Sequence, residues 1–362
     1  MKYRPIAFYL PQFHPFAEND DWWGKGFTEW SNVVKAKPLF KGHHQPHLPT
    51  ELGFYDLRLP QAREEQAALA KAYGIYGFCY YHYWFNGKRL MHEPLDYMLQ
   101  SGKPDFPFMY CWANENWTRR WDGDEDKVLI KQDYSEADDQ EHIRYLCKHV
   151  FSDPRYIRVD GKPFFAVYRP GLFPDIQHSL RTWRREAMAA GIGELYIGYV
   201  QAFNLKVAPD TLGFDAAIDF QPDFHNTPEV LRSNGIGRAL NRLKMKPAVW
   251  EENTVIEYAS YAALAMSRPN VGYKQFPGVS PGWDNTARRK TGAFILKDST
   301  PEWYEKWLTR ELEKFRPYSS DENFIFINAW NEWAEGNHLE PCTKWGRAYL
   351  EATKKAVDHA SR

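Results

Sequence analysis

The stretch Phe324-Ile-Phe-Ile-Asn-Ala-Trp-Asn-Glu-Trp-Ala-Glu-Gly-Asn-His-Leu-Glu-Pro341 joins two very different halves. Its first four residues are apolar, as in a strand that is buried on both faces of a parallel sheet. The rest is rich in Asn, Glu and Trp, and Gly336 lets the backbone turn. A buried strand that ends in carboxylates, amides and indoles indicates a strand that delivers side chains to a site. A polar loop after a core strand is the alternative.

Apolar runs of this kind recur along the chain, and most of them end in a polar or aromatic cluster. They predict eight strands, at 6–10, 75–80, 106–111, 163–168, 194–200, 214–220, 276–280 and 324–327. Helical patterns predict helices at 59–73, 93–100, 136–151, 176–190, 230–243, 254–267, 301–315 and 346–358. Such alternation implies an α/β protein with a parallel sheet.

Eight units, a polar cluster after most strands and no Gly-x-Gly-x-x-Gly turn favour a (β/α)8 TIM barrel over a doubly wound sheet. The segment 227–270 is longer than a simple connection and predicts an insertion. No change in composition marks a linker, so residues 1–362 are predicted to form a single domain. Because all strands of a barrel end on one face, clusters that are distant in sequence would share one cleft.

Composition narrows the class of protein. The net charge of -1 gives no electrostatic reason to expect a nucleic acid or an anionic membrane as partner. The four Cys have no paired short spacing, which suggests neither a zinc site nor a disulfide scaffold. The N-terminus lacks the apolar core of a signal peptide, and no apolar run is long enough to span a membrane. The sequence therefore predicts a soluble, cytoplasmic protein.

The aromatic content points to a class of substrate. The chain has 15 Trp, 22 Tyr and 23 Phe, many of them beside Asn, Glu, His or Arg. Flat rings with polar neighbours suit sugars, whose C–H faces stack on rings while their hydroxyls need directional partners. A carbohydrate substrate is therefore favoured, and no cofactor is expected.

Paired carboxylates in an aromatic cleft are typical of glycosidic bond cleavage, which needs a proton donor and a second acidic group. Glu332 and Glu335 are three residues apart, and a helix-like turn would bring them within roughly 5–6 Å. Close like charges raise the pKa of one carboxyl, as a general acid requires. Substrate contacts are predicted for Tyr9, Glu29, Trp30, His43, His44, His82, Trp112, Asn114, Glu115, Trp117, Asp219, Trp283, Asp284, Asn331 and Trp333.

The motif Asn331-Glu-Trp-Ala-Glu-Gly336 resembles the Asn-Glu-Trp-x-Glu-Gly signature of glycoside hydrolase family 99, the endo-α-mannosidases. Three further segments, Ala7-Phe-Tyr-Leu-Pro11, Phe27-Thr-Glu-Trp30 and Trp112-Ala-Asn-Glu-Asn-Trp117, more closely resemble the related WbsX-like subgroup. Members of that subgroup recur in gene clusters for bacterial surface polysaccharides. The resemblance covers nearly the whole chain and implies a (β/α)8 barrel.

The resemblance also implies a mechanism in which no enzyme carboxylate attacks the sugar. In the mannosidases the first motif Glu deprotonates the 2-hydroxyl, which attacks its own anomeric carbon to give a 1,2-anhydro sugar. The second Glu protonates the leaving oxygen and later activates water, with net retention. By position these roles fall to Glu332 and Glu335. The mannosidase His after the motif Trp is Ala334 here, so mannoside specificity is not carried over.

Three other interpretations stay open at this point. Glu115 could act opposite a motif Glu in a direct displacement, or pair with Arg119 or Arg120, although we favour substrate binding. The group His43-His44-x-x-His47 matches no zinc spacing, so sugar contact or loop packing is preferred and no metal is predicted. His82 could be a structural residue or a cleft residue.

The main rival function is glycosyl transfer in O-antigen or capsule synthesis, because WbsX-like proteins are often labelled glycosyltransferases. Asp122-Gly-Asp124 resembles a metal-binding Asp-x-Asp, but it lies in an acidic loop where a solvated turn is the simpler explanation. A barrel enzyme could also transglycosylate, with a sugar hydroxyl in place of water. A non-catalytic glycan-binding module would not need both Glu332 and Glu335.

Overall fold

The computed structural model describes residues 2–118, 128–203, 205–233, 249–289 and 291–361. Nine parallel strands form one nearly closed barrel: β1 (Arg4–Tyr9), β2 (Gly77–Phe85), β3 (Phe108–Trp112), β4 (Lys162–Val167), β5 (Tyr196–Gln201), β6 (Ala216–Asp219), β7 (Gln275–Phe276), β8 (Gly278–Val279) and β9 (Phe324–Ile327). They pair in the order β7-β6-β5-β4-β3-β2-β1-β9-β8. The predicted TIM-barrel fold is confirmed.

Strands β7 and β8 occupy a single position in the barrel, on either side of Pro277. Residue Gln275 of β7 pairs with Ala217 of β6, whereas Gly278 of β8 pairs with Phe326 of β9. Proline has no N–H to donate, so it interrupts the ladder. Its carbonyl still accepts a hydrogen bond from the Phe326 N–H at 2.9 Å, and the sheet continues around the barrel.

The described helices alternate with the strands. They are Ala17–Trp23, Trp30–Val33, Pro60–Ala72, Glu93–Ser101, Glu136–His149, Ile176–Ala189, Pro209–Leu212, Val249–Glu252, Tyr258–Ser267, Pro301–Lys314 and Ala348–Ser361, with 3-10 turns at Pro170–Leu172, Asn285–Ala287 and Trp333–Glu335. None of these helices combines the length and the apolar composition that crossing a lipid bilayer requires.

Short accessory strands decorate the barrel. Lys88–Leu90 pairs with β2, Arg158–Val159 with β4, Trp117–Thr118 with Val128–Ile130, Thr254–Glu257 with Phe294–Lys297, and Asn331–Glu332 with Asn337–His338.

The predicted helix 254–267 is wrong in its first turn. Thr254–Glu257 is a strand, because its β-branched residues fit a pleated surface better than a helix. The predicted helix 230–243 is not present at 230–233, and its remainder lies outside the described residues.

Side chains alternate between the two faces of each barrel strand, and this alternation decides which residues can reach the cleft. Phe8 of β1 points into the barrel, where its ring lies 5.7 Å from Phe326 and 5.5 Å from Phe220. Its neighbour Tyr9 points outward, and its hydroxyl donates to Gln66 of the helix Pro60–Ala72 at 2.6 Å.

Closure of the barrel depends on Gly278. A β-carbon at this position would lie 2.0 Å from the Asp219 carbonyl oxygen, which is a backbone atom. We expect Gly278→Ala to lower the free energy of unfolding by about 3 kcal/mol in a denaturant titration, because strand β8 would have to shift. The control is Gly272→Ala, where a β-carbon meets no atom within 4 Å. Equal stability of the two variants would contradict this account of closure.

Candidate active site

The motif after β9 forms a tight hairpin that carries both motif carboxylates. Asn331–Glu332 pairs antiparallel with Asn337–His338 around the 3-10 turn Trp333–Glu335. The turn ends at Gly336 with φ +56, a left-handed conformation that glycine adopts without strain. Residues three apart eclipse in a 3-10 turn, so Glu332 and Glu335 lie on one side of it.

Two buried contacts fix this hairpin to the barrel. The Asn331 side-chain amide accepts a hydrogen bond from the Leu10 N–H at 2.7 Å and donates to the Leu10 carbonyl at 3.0 Å. The Trp333 indole N–H donates to the Glu340 carboxylate at 2.6 Å. The motif Asn and Trp are therefore held in the framework below the carboxylates.

A single guanidinium, that of Arg288, joins three carboxylates. Its Nε donates to Glu29 Oε1 at 2.8 Å, its Nη1 to Glu335 Oε1 at 2.6 Å, and its Nη2 approaches Glu332 Oε2 at 3.3 Å. Glu29 and Glu332 are buried, and Glu335 is half-buried. Residues that are far apart in the sequence thus form one charged cluster.

Burial and mutual repulsion set the protonation of this cluster. Burial, and then the neighbouring Glu335 charge, raise the pKa of Glu332 to about 8, although Arg288 opposes the shift. Burial also raises the pKa of Glu335, again against the effect of Arg288. Burial lowers the pKa of Arg288, but the three carboxylates outweigh it and hold that pKa well above its ordinary value. At neutral pH the cluster can therefore retain a proton as well as the guanidinium charge.

His43 and Asp284 position the turn that carries Arg288. His43 Nδ1 accepts from the Leu39 N–H at 2.9 Å, so its Nε2 carries the proton and donates to Asp284 Oδ2 at 2.6 Å. Asp284 caps the turn Asn285–Ala287 and donates its own N–H to the Glu335 carbonyl at 2.6 Å. Burial raises the pKa of Asp284, but the hydrogen bonds from His43 and Thr286 help to lower it overall.

The carboxylates open into a cleft of about 490 Å³ at the carboxyl ends of the strands. Aromatic rings form much of its wall: Tyr81, Tyr83, Trp117, Tyr168, Phe203, Phe220, Phe224, Trp283 and Phe294. Polar groups at its floor and rim include Gln12, Glu115, Asn285, Arg288 and Arg289. Such a mixture of flat rings and a few directional groups can bind sugars.

The structure brings several of the predicted site residues together. Glu332, Glu335, Glu115, Trp117 and Trp283 line the cleft, and Glu29 reaches it through Arg288. Asn114 lies next to the cleft lining. Its side chain accepts a hydrogen bond from the Arg169 N–H at 2.8 Å, and the Arg169 side chain forms an ion pair with Glu115.

Four predicted contacts project from the opposite face of their strand or strand end, outside the cleft. Tyr9 faces Gln66, and His82 lies 3.0 Å from His142 of the helix Glu136–His149, between the ring nitrogens. Trp112 packs on the same helix, and Asp219 accepts from Gln221 in a separate lateral cavity. Burial lowers the pKa of His82 to about 3, as expected of a neutral core histidine.

The remaining predicted residues support the site from below. Trp30 is buried against Trp333, with ring centroids 5.7 Å apart. His44 and His47 pack against each other beside Asp284, and His47 Nδ1 lies 3.1 Å from His338 Nε2. Across the described ranges, no three His, Cys, Asp or Glu side chains form a group that could hold a metal. Arg119, Arg120, Asp122 and Asp124 lie outside the described residues.

Sequence reasoning missed Arg288, Tyr81, Tyr83 and Tyr168. His82 was a predicted substrate contact, but only the alternation of side chains along the strand shows that its neighbours Tyr81 and Tyr83 face the cleft instead. Nothing in the sequence around Arg288 indicates that this Arg meets the motif carboxylates.

We expect Asp284→Asn to destabilise the protein, because an amide presents a donor where the carboxylate accepts from His43 and Thr286. The free energy of unfolding should fall by about 1–3 kcal/mol. Asp175→Asn is the control, since that Asp caps a helix at the surface and Asn caps equally well. Equal denaturation midpoints for the two variants would refute the positioning role.

The raised pKa of Glu332 predicts a pH dependence of stability. The folded protein holds this proton up to about pH 8, whereas the unfolded chain releases it near the ordinary 4.5. Stability should therefore decrease as pH rises from about 5 to 8. Glu332→Gln should make that decrease shallower, measured as unfolding midpoints at several pH values. Glu64→Gln, at an exposed helix position, should retain the wild-type slope; identical slopes in both variants would contradict the prediction.

Comparison with solved structures is consistent with this architecture. The chain is similar to a glycoside hydrolase-like protein, with a TM-score of 0.59 and 17% identity, covering 98% of this chain and 93% of the other. It is also similar to the endo-alpha-mannosidase of glycoside hydrolase family 99 from Bacteroides thetaiotaomicron, solved with bis-tris-propane. That match has a TM-score of 0.59 and 16% identity, and covers 99% and 97% of the two chains. At sequence identities this low, the similarity shows a shared fold and nothing more.

Comparison with sequences identifies the family. The chain is 44% identical over 356 residues to the uncharacterized protein WxcX of Xanthomonas campestris pv. campestris, in two strains. The alignment covers 98% of this chain and 50% of WxcX, so the chain spans about half the length of these relatives. The family described as Glycosyltransferase WbsX matches residues 5–353. The chain therefore belongs to the Glycosyltransferase WbsX family.

Proposed function

We propose that this protein is a retaining, metal-independent glycosidase that cleaves a bacterial surface oligosaccharide or polysaccharide. One observation carries the proposal: Glu332 and Glu335 share one tight turn and one guanidinium at the floor of an aromatic cleft. Two neighbouring carboxyl groups that share a proton, beside rings on which a sugar can stack, form the minimum apparatus for glycosidic bond cleavage.

In the proposed reaction, Glu332 takes the proton of the sugar 2-hydroxyl while the 2-oxygen bonds to the anomeric carbon. The glycosidic C–O bond breaks at the same time, and Glu335 gives its proton to the leaving oxygen. Water then attacks the anomeric carbon of the 1,2-anhydro sugar, with Glu335 as the base, and Glu332 returns its proton to the 2-oxygen. Two inversions at the anomeric carbon give net retention.

This sequence of steps requires a proton to move within the cluster when the substrate binds. In the free enzyme Glu332 has a pKa of about 8, and Arg288 donates to Glu335 at the shorter distance. Both observations favour the proton on Glu332 before binding, whereas the reaction needs it on Glu335. Two strongly interacting carboxyls titrate as a pair, so a sugar hydroxyl that donates to Glu332 would favour transfer of the proton to Glu335.

Glycosyl transfer is the second candidate, because the family carries that description. The same two carboxylates could serve it if a sugar hydroxyl replaces water in the second step. Wild-type protein incubated with bacterial surface oligosaccharides should release fragments without added nucleotide sugar. Chain extension that depends on a nucleotide sugar and survives Glu335→Gln would instead establish a transferase with another mechanism.

The roles of the two Glu can be separated with an aryl glycoside whose phenol leaves without protonation. We expect Glu335→Gln to lose about 10²–10⁴-fold in rate on an unactivated oligosaccharide but to release a first-turnover burst of phenol from the aryl glycoside. Glu332→Gln should be impaired on both substrates, because the 2-hydroxyl keeps its proton.

The control for these variants is Glu322→Gln, which changes a buried carboxylate that bonds to Tyr196 away from the cleft. It should retain the wild-type rate on both substrates. A burst in Glu332→Gln and none in Glu335→Gln would exchange the two roles. Full activity of both cleft variants on the oligosaccharide would refute the glycosidase mechanism.

A further inference from the structure

Phe203, just beyond strand β5, is an exposed aromatic residue on a strained backbone. It lies at the edge of the cleft with 39% of its surface exposed. Its φ is +56, in the left-handed region that residues with a β-carbon rarely adopt. Such strain persists only where the surroundings impose it, and it is concentrated at functional sites. Burial of the ring in the core does not explain this conformation.

The neighbouring residues hold the Phe203 ring in a fixed orientation. The Arg169 guanidinium lies 3.6 Å from the ring centroid, and the Tyr168 ring meets it edge to face at 5.5 Å. Arg169 is itself held by an ion pair with Glu115, while Asn114 bonds to both its backbone N–H and its carbonyl. One part of the ring is therefore covered and the rest is presented to solvent in one orientation.

A second, smaller cavity lies beside this ring. It measures about 260 Å³ and shares Tyr168 and Phe203 with the cleft, so the two spaces adjoin. Apart from Arg169, its wall is made of apolar groups and backbone, including Pro170, Leu172, Val200, Ala202 and Leu205. Its size fits one ring-sized ligand unit, below the range of about 300–1,000 Å³ that holds a drug-sized ligand.

Tyr168 connects this cavity to the reacting groups. Burial, followed by the charges of Glu115 and Glu335, raises the pKa of the Tyr168 hydroxyl well above its ordinary value. Its ring also meets Tyr81 at 6.0 Å and Phe220 at 5.6 Å in edge-to-face contacts. Tyr168 thus lines both the cleft that holds the carboxylates and the cavity beside Phe203.

We propose that Phe203 and the adjoining apolar cavity form a second sugar subsite, which takes the unit next to the one at Glu332 and Glu335. This inference rests on the proposed function and deepens it. The bound unit is a neutral sugar that stacks its C–H face on Phe203 and places a methyl or acetyl substituent in the cavity. A charged unit fits poorly, because Arg169 is already paired with Glu115.

The test uses Phe203→Gly, since glycine adopts φ +56 freely and removes the ring without strain. The control is Phe54→Ala, which removes a ring that is 54% exposed and packs on Trp30, away from the cleft. Two substrates are compared: an oligosaccharide with a methyl- or acetyl-bearing unit, and the same molecule without that unit. Phe203→Gly should raise KM for the longer substrate about tenfold, with little change for the shorter one. Phe54→Ala should change neither.

The possible outcomes distinguish a failure of the subsite proposal from a failure of the proposed function. If wild type cleaves the substrates and Phe203→Gly keeps the same preference for the longer one, the subsite is overturned. The glycosidase assignment then remains intact. If wild type cleaves neither molecule, the proposed function fails, and calorimetric binding of the two oligosaccharides decides the subsite. Binding of the longer molecule that is about tenfold weaker in Phe203→Gly supports the subsite. Equal binding, or none, overturns it.

Discussion

The guanidinium of Arg288 donates to three carboxylates in a site that is largely withdrawn from water. Buried carboxylates repel one another and lose hydration, so a cluster of three is stable only with a counter-charge in contact. The surrounding elements meet this need. The turn after β8 supplies the guanidinium, the hairpin after β9 supplies two carboxylates, and the loop after β1 supplies Glu29. The Asp284 N–H donates to the Glu335 carbonyl and so joins the turn to the hairpin, while the Asp284 carboxylate accepts from His43 of the loop after β1.

The cluster has a consequence for chemistry as well as for stability. With one guanidinium, three carboxylates and one retained proton, the site is left with a net charge of about -1. That charge favours the positive character that develops at an anomeric carbon as its bond to the leaving oxygen breaks. The negative charges whose burial is costly in the free protein would thus stabilise the proposed transition state. This is the pattern expected where a fold tolerates local strain for function.

The fold and the two motif Glu were predictable because their signals are local. Apolar runs with polar ends mark parallel strands, and a spacing of three with a following Gly marks a tight turn. The position of a strand end did not by itself show which side chains there face the cleft and which face the outside of the barrel. Tyr81 and Tyr83 face the cleft while His82 between them faces a helix, and Phe220 faces it while Asp219 does not. A shift of one residue along a strand places a side chain on the outer wall of the barrel instead of in the cleft.

Arg288 and Phe203 were not predictable, because their roles arise only from contacts between distant segments. The choice of substrate would likewise depend on contacts between segments that are distant in the sequence. The carboxylate turn can serve hydrolysis or transfer, since water and a sugar hydroxyl are deprotonated by the same base. What distinguishes the outcomes is which molecule the cleft holds beside the reacting unit. Under the proposed function, the aromatic rings that line the cleft, Phe203 among them, would select the glycan, whereas Glu332 and Glu335 would supply only the chemistry of the glycosidic bond.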